Sequence, residues 1–170
     1  MRWCWIDRFI QFDVGSSAKA IKAVTLAEDY LHDHFPGYPV VPKSFLIEGM
    51  AQTAGLLVSQ QFDFKLNVIL AKIATVKFFD EARPGDILTY SASIEYIRKE
   101  GALTRTGCHR GEEVLGEGEI FFAIFEGGSR MPLFDRRQFL EQLRILRLFE
   151  VGRNPDGTPL ALPPELASST

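Results

Sequence analysis

Between Ser44 and Leu57 the chain carries no proline, and Phe45, Leu46, Ile47, Met50, Leu56 and Leu57 are interleaved with Gly49, Ala51, Ala54 and Gly55. The segment reads as a helix that is apolar nearly all round, and such a helix is buried. Whatever fold the chain adopts must therefore enclose this helix. Two polar residues interrupt its surface. Glu48 and Gln52 lie four apart and share one face. A carboxylate on a buried helix needs a partner or a raised pKa, which sets Glu48 apart. The plainer reading makes Glu48 a first-turn acid favoured by the helix dipole and Ser44 the N-cap. A capping box is excluded, because its acid would fall at Ile47.

The run that leads into the helix, residues 34–42, is punctuated by Pro36, Pro39 and Pro42. Each proline fixes its own φ and biases the preceding residue toward extended geometry, while Gly37 permits a turn. The loop is expected to hold His34 in one place, and a histidine titrates near neutral pH. The His32-Asp33-His34 cluster invites a metal reading. Three or four convergent ligands would be required, and beyond the triplet only His109 remains among the histidines. No metal is expected.

Around this centre the chain alternates strand and turn signals. Residues 4–13 and 17–27 flank Gly15-Ser16 as a hairpin, and Val68 to Phe79 is a β-rich run closed by the turn Arg83-Pro84-Gly85-Asp86. Ile87 to Arg98, Leu103 to His109 and Val114 to Phe125 follow as three long strands, antiparallel around Gly101 and Gly111. One buried helix with late antiparallel strands predicts an α+β layer in which a curved sheet wraps the helix. With 170 residues, 46% of them apolar and 24% charged, the chain fits a single globular domain. A net charge of −3 gives no basic field for nucleic acid. Apolar runs are too short to span a membrane, and Asp7 and Arg8 interrupt any leader-like start, so a cytoplasmic protein is expected. Cys4 and Cys108 read as free thiols.

The last forty residues divide in two. From Pro132, Phe139, Leu140, Leu143, Leu146 and Ile145 fall on one broad face, with Arg136, Arg137, Arg144 and Arg147 on the remainder, predicting an amphipathic helix within 131–150. Its basic face reads as solvated, with docking of an acidic carrier protein as the alternative. Residues 151–170, rich in proline, read as a loosely attached tail.

The run His34-Phe35-Pro36-Gly37-Tyr38-Pro39-Val40-Val41-Pro42, followed by Glu48, Met50-Ala51-Gln52 and Gly55, resembles the FabZ-type 3-hydroxyacyl-[acyl-carrier-protein] dehydratases. Ile6-Asp7-Arg8, Arg83-Pro84-Gly85-Asp86 and Gly101 to Arg105 extend the likeness across roughly residues 3 to 126. The resemblance implies a hotdog domain over 1–130 and dehydration of 3-hydroxyacyl chains carried on the phosphopantetheine of an acyl carrier protein, with no cofactor. It implies a homodimer, extendable to a trimer of dimers, in which His34 of one subunit and Glu48 of the other meet beside an acyl tunnel. Dehydration needs a base, an oxyanion donor and an acid. His34 suits the first role, and a Glu48 kept partly protonated by burial suits the last.

The expected substrate-binding set is Gly37, the backbone N–H of Lys43, Ser44, Phe45 and Gln52. Lys43 departs from the family's usual glycine but keeps the N–H at the helix start. Two further readings follow from that departure and from the isolated acid. One is a hotdog thioesterase in which Glu48 activates water, with little use for His34. The other is an acyl-carrier-binding subunit without turnover.

Overall fold

The computed structural model describes residues 4–99, 101–126 and 135–167. Its centre is a helix, α2 (Lys43–Gln60), preceded by the single turn α1 (Tyr30–Asp33). Around it lies one seven-stranded sheet of β1 (Arg8–Asp13), β2 (Ser17–Ala23), β3 (Asn67–Phe78), β4 (Ile87–Arg98), β5 (Gly101–Arg110), β6 (Glu113–Phe125) and β7 (Gly152–Arg153). The strand order is β3-β6-β5-β4-β2-β1-β7, antiparallel except where β7 runs parallel to β1. This is the curved sheet around a central helix that the hotdog resemblance implies.

Sequence alternation dictates which face turns inward. On β4, Leu88, Tyr90 and Ala92 are buried against the helix, while Ser91 and Ser93, pointing the other way, are only half-buried. β5 places Thr104 and Thr106 inside, and their hydroxyls donate to the carbonyls of Ile120 and Gly118, so neither polar group is left unsatisfied. Bulges between Leu70 and Lys72 and between Ile73 and Thr75 strengthen the local twist of β3.

On α2, Leu46, Met50, Ala54 and Leu57 are completely buried. Gly49 lies where the helix touches the sheet most closely: a Cβ there would sit 2.3 Å from the Tyr90 ring, so only glycine allows the approach. The helix begins at Lys43 with Pro42 as its N-cap, which corrects the reading of Ser44 as the cap. Pro42, its φ fixed at −53°, enters the helix without a side-chain cap.

Beyond the sheet come α3 (Arg136–Ile145), α4 (Leu148–Val151) and α5 (Pro164–Ala167). Asp135 caps α3 by accepting from the Gln138 N–H. Leu140, Leu143 and Leu146 are buried as the periodicity predicts, whereas Ile145 is 67% exposed and leaves that face. Pro132, the expected start, lies outside the described residues. The proline-rich stretch after Gly152, expected to be loose, lies against the body. β7 adds to β1, Leu160 N–H donates to Gly152 O, and Leu166 is buried. Prolines that lack N–H donors are compatible with such a single-sided attachment, and composition alone does not register the buried leucines.

Candidate active site

His34 is positioned by its own loop. The Tyr38 N–H donates to Phe35 O across Pro36-Gly37, and Gly37 takes φ +75°, the left-handed position that this proline–glycine turn requires. The His34 N–H donates to Tyr30 O, and the Val40 N–H returns to His34 O at 2.9 Å. The ring Nδ1 lies 2.8 Å from Val40 O. A carbonyl only accepts, so Nδ1 carries the proton, and in the neutral ring Nε2 is the open, basic nitrogen.

The loop is braced from outside by residues 81–83, which lead into the turn Arg83-Pro84-Gly85-Asp86. The Val41 N–H donates to Ala82 O, Tyr38 Oη donates to Glu81, and the Arg83 guanidinium bonds the same hydroxyl and lies over the Tyr38 ring. Composition showed a turn there but gave no signal that it supports the histidine loop.

Glu48 lies half-buried on the one open face of α2. Its Oε1 accepts from Gln52 Nε2 at 2.8 Å, and Gln52 Oε1 in turn accepts from the Trp5 backbone N–H at 2.9 Å. Because a backbone N–H can only donate, this link fixes which way the Gln52 amide faces and aims its NH2 at the carboxyl. The role of Trp5 has no signal in the sequence, forty-seven residues away.

Glu48, Gln52, Gly55 and Ser59 form one stripe along α2, and the stripe is a wall of a cavity of about 470 Å³. That size suits a small organic ligand or chain. The other walls are largely apolar, from Leu56, Val68, Leu70, Phe122, Phe139 and Leu143, and Glu48 is the one carboxylate among the described residues that line it. Cys4 reaches the cavity as well, and burial raises the pKa of its thiol. Burial also raises Cys108, to about 12, so it too stays a thiol at neutral pH.

Of the expected site residues, the structure brings Glu48 and Gln52 together. None of His34, Gly37, Lys43, Ser44 and Phe45 lines the cavity. Phe45 is taken up by an aromatic cluster, stacked on Trp5 at 4.1 Å and edge-on to Tyr30 at 4.9 Å. Lys43 and Ser44 are exposed in the first turn of α2, where N–H groups have no intrahelical acceptor. The Lys43 ammonium lies over the Phe78 ring, 5.6 Å from its centre.

A FabA-like domain signature matches residues 3–123. The chain is 34% identical over 122 residues to the 3-hydroxyacyl-[acyl-carrier-protein] dehydratase FabZ of Clostridioides difficile, covering 71% of this chain and 86% of that one. It is also 34% identical over 120 residues to the enzyme of the same name from Caldicellulosiruptor saccharolyticus, covering 70% and 86%. Among solved structures, an uncharacterized protein from Pyrococcus horikoshii shares the fold with a TM-score of 0.59 at 22% identity, over 72% of this chain and 85% of that one. With a signature that spans most of the chain and relatives at this identity, the protein belongs to the FabA-like family, as a FabZ-type dehydratase with the hotdog fold.

Proposed function

We propose that this protein dehydrates 3-hydroxyacyl thioesters carried on the phosphopantetheine of an acyl carrier protein, without a cofactor, to give trans-2-enoyl thioesters for fatty-acid or related lipid synthesis in the cytoplasm. The observation that carries the reading is Glu48, held by Gln52 as the one carboxylate on a largely apolar cavity. Such a cavity suits an acyl chain, with the acid at the reacting carbons. His34 Nε2 removes a proton from C2, the C–H electrons form the C2=C3 bond, and the C3–O bond breaks. The hydroxyl leaves as water with a proton from Glu48, directly or through a water. The N–H groups of Lys43 and Ser44 are the donors proposed for the developing oxyanion.

The reaction needs His34 beside Glu48, and a second copy of the chain is the proposed means. β3 is the outermost strand of the sheet and displays Ile69, Leu70 and Ile73, each about 40% exposed. An apolar edge strand of that length invites pairing with another chain, and Val68 and Leu70 of the same strand line the cavity. A homodimer along β3 would then close the cavity and supply His34 from the partner subunit.

The test mixes two inactive variants. His34→Ala and Glu48→Gln each lose turnover of 3-hydroxyacyl- and crotonyl-carrier thioesters. Unfolded and refolded together, half the dimers are mixed and one of their two sites is intact, so about a quarter of wild-type activity returns. No recovery in proven mixed dimers would place both groups in one subunit. Release of free thiol without formation of the double bond would instead favour thioester hydrolysis.

A further inference from the structure

The match to the FabA-like family ends at residue 123, yet the cavity beside Glu48 is completed by residues well beyond that point. Phe139, Gln142, Leu143 and Leu146, all from α3 or the residue that caps it, face Gln52, Gly55 and Ser59 across the space. From Glu48 to Ser59 the stripe on α2 runs ~16 Å at the helical rise per residue. α3 lies alongside this distance and is strapped at both ends. At its first turn the Arg136 guanidinium donates to the carbonyls of Asp63 and Phe64 and pairs with Glu165 at 2.9 Å. At its last, the Phe9 N–H donates to Leu146 O. Buried Leu140 and Leu143 hold the middle.

The direction of α3 matters. Gln142 approaches Cys4, next to Trp5 and hence near the Gln52 and Glu48 end. Phe139 lies at the opposite end, its ring edge-on to Phe64, 6.1 Å between centres, just past the end of α2. Both rings line the cavity.

We propose that α3, an addition outside the family's matched region, is the side wall of the acyl cavity and that Phe139, against Phe64, is the stop that sets the longest acyl chain accepted. The inference rests on the acyl-thioester reading above. A chain entering with its reacting carbons at Glu48 extends along α2 and meets the Phe139 ring. Shrinking that ring lengthens the cavity and enlarging it shortens the cavity, while Glu48, Gln52 and the His34 loop are untouched.

The test uses the full chain as wild type, Phe139→Ala, Phe139→Leu and Phe139→Trp. Equilibrium binding of saturated acyl-pantetheine thioesters, from four to sixteen carbons, is measured beside turnover of the matching 3-hydroxyacyl-carrier thioesters. In wild type, affinity should rise about fourfold for each methylene that fits, the transfer value of a buried CH2, and then stop rising. The stopping length should move at least two carbons longer in Phe139→Ala or Phe139→Leu and shorter in Phe139→Trp. Leucine serves if alanine destabilises the helix. An unchanged stopping length in folded Leu and Trp variants overturns the proposal. A shifted binding limit in a protein that does not dehydrate supports the wall and removes the dehydratase reading; dehydration with an unshifted limit does the reverse.

Discussion

The two halves of the proposed active site are built in different ways. His34 is held by neighbours in sequence: its ring and backbone bond Val40, six residues on, across a turn made by Pro36-Gly37. Glu48 is held by Gln52 one helical turn away and then by the Trp5 N–H, forty-seven residues from Gln52 in the sequence. A loop that fixes its histidine by local bonds presents it as a unit, which Glu81, Ala82 and Arg83 then brace from outside. An acid that depends on tertiary contacts is only as well placed as the fold around it.

The largest effect that tests this contrast is on turnover. His34→Ala and Glu48→Gln should each lower dehydration by about 10²–10⁴, the usual worth of a positioned acid or base, with unchanged melting. Near-normal turnover of either would remove that residue from the mechanism. Next comes the support beneath Glu48. Gly49→Ala drives a methyl into the Tyr90 ring and should cost about 1–3 kcal/mol by denaturant unfolding, with activity falling as the α2 face shifts. If Gly49→Ala left both stability and rate intact, the acid would be less dependent on packing than the contrast requires.

On the histidine side, Gly37→Ala meets no steric neighbour but must adopt φ +75°. It should cost about 1–2 kcal/mol at most, felt in the loop and read as a loss of rate greater than the loss of melting temperature. Equal losses in both would show that the loop is not an independent unit.

The smallest expected effect is a control, at His109 on the outer face of the sheet. Burial, and secondarily Lys19, hold its pKa below the usual histidine value, and its Nε2 lies 3.2 Å from Ser91 Oγ. The folded state therefore resists a proton that the unfolded chain accepts. Its contribution to stability is present above the unfolded pKa of about 6.5 and is lost as pH falls through that value toward the lower folded one. His109→Gln should flatten the acid side of the stability profile while leaving the pH–rate profile unmoved. A rate profile that moved with His109 would break the assignment of the base.

Much of this was legible before any coordinates, where the chemistry is local or periodic. The length and apolar character of residues 44–57 required an enclosed helix, β-rich composition and alternation placed β1 to β6 within a few residues, and the prolines and Gly37 marked a rigid loop at His34. Glu48 and Gln52 shared a face because helical geometry puts residues four apart together. Those statements need only dihedral preferences and the two periods of secondary structure.

What depends on long-range contact was decided by the tertiary structure alone. Trp5 aiming the Gln52 amide, residues 81–83 bracing the histidine loop, and α3 walling the cavity are pairings between distant positions, and no local period encodes them. Phe45 illustrates the limit: the resemblance put it in the expected substrate-binding set, and its packing against Trp5 and Tyr30 is seen only in the tertiary structure. The proline-rich tail shows the same from the other side. Its composition predicted looseness, and two buried contacts, β7 on β1 and Leu166, tie it down. A sequence determines what each segment can do by itself; which segments meet is set by the summed burial and hydrogen bonding of the whole chain.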